Sequence, residues 1–230
     1  LAANIRFTVT AKEGDVITLE HFEVLDQEGN YFNSILNNNK EQTEIYIARE
    51  GTQTYQPAFT YHGFRYVRIR GWRGTPSTED FTVYAYSSAM DEIGSFHTSD
   101  ERINQLQSNI WWSQISNTIS IPTDCPQREK AGWTGDIMVY SPTMCINTEA
   151  DAFLSSWMEN VRAEQMEDGA IPMIVPYLKA YATFLRDNLG ADTSCGWGDA
   201  VIMVPYSVYR AYGDRKILEE NYDAMTRWME

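Results

Sequence analysis

The sequence predicts a multi-domain β-plus-α chain, an antiparallel β-sandwich followed by a helical domain, with expected spans of residues 1–92 and 93–230. Three observations predict it. The N-terminal part is made of short β-rich runs separated by turn residues. Beyond Ala89 the apolar residues recur at helical spacing instead. The length of 230 residues exceeds the usual size of one domain and leaves enough chain to bury two cores.

The strand runs are NIRFTVT, VITLEHFEVL, EIYIARE, GFRYVRIRGW and DFTVYAYSSA. In FRYVRIRGW, Phe64, Tyr66, Arg68 and Arg70 alternate with Arg65, Val67, Ile69 and Gly71, a period of two that predicts one buried and one wet face. Lys12-Glu13-Gly14-Asp15 and Gln27-Glu28-Gly29-Asn30 place glycine where tight connections call for positive φ.

Thr98, followed three residues later by Glu101, reads as a capping box in front of Ile103, Leu106 and Ile110, and predicts a helix of about four to five turns. Ala150, Phe153, Leu154, Trp157, Met158 and Val161 fall on one helical stripe that must be buried. A further helix is expected from Asp199 to Gly213, bent by Pro205 or starting after it. Ile217, Leu218, Tyr222, Met225 and Met229 give a last helix without a stop signal, so the chain reads as cut.

Composition narrows the function. A net charge of −14 repels phosphate polymers, and no basic patch interleaved with aromatics offsets it, so nucleic acid is not expected as a partner. No run approaches the roughly 18 consecutive apolar residues of a membrane span, and LAANIRFTVT carries no signal-peptide core, so no membrane partner is expected. Cys125, Cys145 and Cys195 allow at most one disulfide and lack the pairing of a zinc site. His21, His62 and His97 all lie in the β-rich part or at its edge. The helical part therefore has no imidazole for a Ser/His/Asp triad, a Cys/His pair or an HExxH metal site. Neither a P-loop nor a GxGxxG run is present. No metal and no cofactor are expected.

What is abundant is carboxylate and aromatic side chain, with six of the seven tryptophans at or beyond Trp111. That pairing suits sugars, whose C–H faces lie on indole and whose hydroxyls bond carboxylates. Cleaving a glycosidic bond needs one protonated and one ionised carboxyl group. The densest such segment is TDCPQREKAGWTGD, Thr123 to Asp136, where prolines and glycines exclude one regular helix and the charges exclude a core. It reads as a loop. Asp124, Arg128, Glu129, Lys130 and Asp136 fit a solvated connector, whereas Cys125 and Trp133 fit a site that excludes water. On residue chemistry the two readings stand even.

The run DCPQREKAGWTGD closely resembles the signature of bacterial α-L-rhamnosidases of glycoside hydrolase family 78. FTYHGFRYVRI resembles the end of that family's sandwich, and CGWGDAVIMVPYSVYRAYGD a later helical segment of its catalytic domain. The resemblance implies that the helical part is the first portion of an (α/α)6 six-hairpin toroid. It also implies inverting hydrolysis of terminal α-L-rhamnose, with rhamnose-containing glycosides or polysaccharides as partners. Carried over residue by residue, Glu129 is the proton donor, Asp124 and Asp136 bind rhamnose hydroxyls, and Trp133 and Trp197 border the sugar. Arg128 matches the motif without a settled role. Asp136 paired with Arg128 is a competing structural reading. Trp197 also reads as a packed core indole, and Asp199 reads as a helix N-cap in preference to a sugar contact.

An inverting site needs its two carboxyl groups roughly 6.5–9.5 Å apart. With about four recognisable helices, the chain has fewer than such a toroid holds, and no residue here inherits the base. The chain is therefore expected to be a fragment that is inactive alone and self-associates through uncovered helical faces. The protein is expected to be bacterial and soluble, cytoplasmic or exported by a leader outside this chain. Two alternatives remain: a non-catalytic carbohydrate-binding or scaffold protein on the same fold, and a six-hairpin glycosidase of other sugar specificity.

Overall fold

Alternation is clearest in the first strand, β1 (Ala2–Ala11), where Ile5, Phe7, Val9 and Ala11 are buried while Arg6, Thr8 and Thr10 face out. The computed structural model describes residues 1–32 and 42–230. Contacts divide it into two units, Leu1–Ser87 with Cys125–Lys130, and Ser88–Asp124 with Ala131–Glu230.

The first unit contains β2 (Val16–Phe22), β3 (Val24–Leu25), β4 (Tyr31–Phe32), β5 (Thr43–Ile47), β6 (Gly51–Tyr55), β7 (His62–Gly63), β8 (Tyr66–Arg70) and β9 (Phe81–Ala85). All pairings are antiparallel. β1 pairs with β6, β7 and β9, and β2 lies between β5 and β8. Inward side chains of both sheets share one core of Ile5, Phe7, Val9, Ile17, Leu19 and Phe64. Phe7 is its centre, edge-on to Tyr46 at 5.5 Å and to Trp72 at 5.8 Å. Burial of such a ring contributes about 1.5–3 kcal/mol. On the outer face, Thr8 bonds Thr54 at 2.9 Å and Thr10 bonds Thr52 at 2.8 Å, a cross-strand hydroxyl ladder.

The expected two faces of β8 are present: Val67 and Ile69 pack on the core, while Arg68 and Arg70 reach Glu20 at 2.6 and 3.0 Å. Gly14 and Gly29 have φ of 84° and 83°, as the turns predicted. In β5 the register with β2 turns Tyr46 inward and leaves Ile45 and Ile47 exposed.

The second unit contains α1 (Glu101–Ser116), a short hairpin of β10 (Thr118–Ile119) and β11 (Ile121–Pro122), α2 (Thr134–Asn147), α3 (Asp151–Glu164), α4 (Lys179–Leu189), α5 (Cys195–Gly198), α6 (Ala200–Tyr212) and α7 (Lys216–Met229). α6 packs against α2, α3 and α7, with Val201, Val204 and Val208 buried. The expected α3 stripe is in this core, Leu154, Trp157, Met158 and Val161 being buried and Phe153 packed beside them. Trp157 donates its indole N–H to the Val175 carbonyl at 3.1 Å, so the one polar atom of a buried ring has an acceptor. The Tyr212 hydroxyl ends α6 by donating to Thr148 O at 2.7 Å and accepting from Ala150 N at 2.9 Å. Burial pushes this phenol up to about 12.

Several expectations are corrected. α1 has the expected length, but its cap is Asp100, whose Oδ1 accepts from Arg102 N at 2.9 Å; Thr98 is tied to Asn104 instead. Ile103 and Leu106 are exposed, and no element of the described residues covers them. α6 starts at Ala200 and runs through Pro205, and Gly213 at φ 72° closes it as expected. α7 buries Ile217, Asn221 and Ala224 and leaves Tyr222 and Met229 exposed, because Asn221 is fixed by Ile217 O and by the Arg162 guanidinium. None of the three cysteines is in a disulfide. No helix among the described residues is long and apolar enough to cross a membrane.

Candidate active site

The segment singled out in the sequence is a loop only as far as Trp133. Thr134, Gly135 and Asp136 form the first turn of α2, so Asp136 is a helix N-terminal carboxylate rather than a loop residue. The start of α2 is fixed by close backbone packing. A β-carbon on Gly132 would lie 2.0 Å from the Val175 carbonyl oxygen, and Val175 N donates to Gly132 O at 2.8 Å. Thr134 N then donates to Met173 O at 2.8 Å. Trp133, between them, is half-buried against Met173, Ile174 and Leu185. It packs on that cluster with part of its surface still exposed.

Asp124 closes the base of the preceding excursion. Its N–H donates to Ala131 O at 3.0 Å, and its Oδ1 accepts from Ala131 N at 3.1 Å. Asp124 and Asp136, twelve positions apart in sequence, line one cleft of about 340 Å³ in the helical unit. Gln114, Asn117 and Tyr140 line it too. Gln114 is buried, accepting from the Tyr140 hydroxyl at 3.0 Å and donating to Thr148 Oγ1 at 2.9 Å. Burial raises the Tyr140 pKa above that of an ordinary phenol, which is itself a hydrogen-bond donor at neutral pH. The cleft thus joins ionisable acceptors to fixed amide and hydroxyl groups, a set suited to a polyhydroxylated ligand. The sequence reading missed Gln114, Asn117 and Tyr140: Tyr140 lies on α2, which it did not recognise as a helix, and the Tyr140–Gln114 bond from α2 to α1 and the place of Asn117 at the end of α1 become visible only in the structure.

Trp197 lies in α5 with its ring over Gly135, where an added β-carbon would come 2.9 Å from the indole. More than a third of it remains exposed. The fully buried reading of this indole therefore does not hold. Asp199 occupies the N-cap position of α6 without a capping bond; its Oδ1 accepts from Trp228 Nε1 at 3.0 Å. That indole covers Gly198, with Cη2 2.3 Å from where a β-carbon would sit.

Arg128 and Glu129 belong to the excursion Cys125–Lys130, which groups with the sandwich unit. The Glu129 side chain is 18% exposed and is paired with the guanidinium of Arg128, itself half exposed. Its main-chain N–H faces Cys125 Sγ at 3.3 Å.

Residues 91–230 match the family model described as the bacterial alpha-L-rhamnosidase 6 hairpin glycosidase domain, and residues 1–87 match the bacterial alpha-L-rhamnosidase concanavalin-like domain. An alpha-L-rhamnosidase of Formosa agariphila is 41% identical over 226 residues, covering 96% of this chain and 23% of the relative. The solved structure of Streptomyces avermitilis alpha-L-rhamnosidase complexed with L-rhamnose superposes with a TM-score of 0.90 at 35% identity, over 99% of this chain and 21% of that one. Native alpha-L-rhamnosidase from Aspergillus terreus gives a TM-score of 0.90 at 35% identity, over 100% and 26%. The chain spans about a quarter of the length of the relatives it matches.

Proposed function

The chain belongs to the bacterial α-L-rhamnosidase family, and we propose that the full-length protein carrying it hydrolyses terminal α-L-rhamnose from rhamnosides with inversion at the anomeric carbon. The observation that carries the reading is the meeting of Asp124 and Asp136 in one cleft of the helical unit, where Ile137, Val139 and Met144 add an apolar wall to the carboxylates. Their carboxylates accept hydrogen bonds from rhamnose hydroxyls, and Trp197, exposed at the first turn of α2, supplies an apolar face for the sugar ring. Trp133 contributes by fixing the start of α2.

Glu129 is the general acid. Its carboxyl proton passes to the glycosidic oxygen as the bond from the anomeric carbon to that oxygen breaks, and the aglycone leaves as the neutral alcohol. Water attacks the opposite face of the oxocarbenium-like centre and gives its proton to a carboxylate base. That base comes from sequence outside these 230 residues; support is the quarter-length coverage of the relatives. Donation requires Glu129 to part from the Arg128 guanidinium, so Arg128 anchors the carboxyl between turnovers. No step uses a metal.

The test is rhamnose release from an aryl α-L-rhamnoside by the full-length protein, with the first-formed anomer followed by NMR. The β anomer appearing first is expected. No release, or the α anomer first, overturns the proposal.

A further inference from the structure

The residues on either side of Arg128 and Glu129 are fixed to the sandwich, and both attachments carry unfavourable local features. Lys130 follows Glu129 with φ of 51°, a left-handed conformation that a β-carbon disfavours. Its ammonium donates to Tyr61 O at 2.6 Å and stands 4.3 Å from the centroid of the Tyr61 ring. Burial lowers its pKa, as expected of a desolvated ammonium. Its main-chain N–H donates to Cys125 O at 3.2 Å and closes the turn that contains Glu129.

On the other side, a β-carbon on Gly63 would lie 2.7 Å from both Gln127 N and the carbonyl carbon of Pro126. No side chain fits between β7 and the loop. Gly63 is itself held by its pairing with Ala2 and by Gln42 Nε2, which donates to its carbonyl at 2.5 Å. Gln127 Nε2 adds a bond to Glu23 Oε2 at 2.9 Å. Backbone strain and a partly buried charge both oppose this arrangement and persist only where surrounding contacts over-determine the conformation.

We propose that Lys130 and Gly63 are positioning residues for the Glu129 carboxyl, so that the sandwich takes part in the reaction by fixing the loop that carries the proton donor. This rests on the reading of Glu129 as general acid. Misplacing a positioned group by about 1 Å costs on the order of a hundredfold in rate. The loss falls on the step that uses the group.

The test is steady-state kinetics of the full-length protein on two substrates. Phenyl α-L-rhamnoside has a leaving group that needs a proton, whereas dinitrophenyl α-L-rhamnoside has one that departs unaided. Lys130→Met and Gly63→Ala, which disturb the loop from its two ends, are each expected to lower kcat on the phenyl substrate by at least about tenfold. KM and the dinitrophenyl rate should stay within about threefold of wild type. Lys130→Arg is expected to restore most of the phenyl rate. If Glu129→Gln shows the leaving-group signature while both positioning variants lose the two substrates equally, or lose neither, the positioning proposal alone is overturned. If Glu129→Gln itself lacks that signature, the acid assignment falls, and this proposal with it.

Discussion

Acid is expected to weaken the sandwich unit through one imidazole. His21 is fully buried in β2, its ring stacked on His62 with 4.1 Å between centroids and edge-on to Phe64 at 4.8 Å. Its Nδ1 lies 2.9 Å from the Gln42 carbonyl and therefore carries the hydrogen. The titratable groups around it are His62 from β7 and Lys130 from the loop, with Glu44 of β5 held on His62 Nε2 at 2.8 Å. Burial first, and then the His62 and Lys130 charges, push the His21 pKa down from 6.5 to about 3. Between those values the unfolded chain binds a proton that the folded chain refuses. The contribution is complete above pH 6.5 and is lost as pH falls toward 3. The slope is at most about 1.4 kcal/mol per pH unit, so roughly 3 kcal/mol is at stake over two units. His21→Phe keeps a ring in the core and removes the titration. It adds a nearly pH-independent cost of about 1–3 kcal/mol for a Gln42 carbonyl left without its donor. Urea unfolding of both proteins over this range, differenced at each pH, isolates the effect. The wild type should lose stability more steeply than the variant, and parallel curves would refute the reasoning.

Other outcomes follow from single contacts. Tyr212→Phe removes the acceptor of Ala150 N and the donor to Thr148 O, so a loss of about 1–3 kcal/mol is expected in the urea midpoint, with unchanged m-value. Gly198→Ala is expected to displace Trp228 and break its bond to Asp199, which a red-shifted, more quenchable tryptophan emission would report; unchanged emission would contradict the packing.

The legible parts of the fold were those where one stripe or one alternation decided the matter. Leu154, Trp157, Met158 and Val161 could face only a core, and β1 alternates without exception from Ile5 to Ala11. α2 was not legible because Thr134, Gly135 and Asp136 fell within the stretch read as a loop, while tertiary packing of Gly132 and Thr134 along Met173 to Val175 starts the helix there. The face of α7 was misjudged because a buried asparagine, satisfied by Arg162 and by its own helix, took the place expected of Tyr222. Asp199 looked like a cap because its position is one; its carboxylate instead serves an indole 29 residues away in a segment that periodicity does not relate to it. For the site, the motif brought Asp124 and Asp136 forward, and both line one cleft of the helical unit. The packing role of Trp133 and the anchoring of Lys130 to Tyr61 depend on partners distant in sequence, which local pattern does not disclose.

The central claim, that Glu129 hands its proton to the departing oxygen, is tested most directly by kcat of Glu129→Gln in the full-length protein across aryl α-L-rhamnosides graded by leaving-group acidity. A loss of about 10²–10⁴ for the least acidic phenol, shrinking toward none for the most acidic, is predicted. A loss of the same size for every leaving group, or no loss at all, would contradict it.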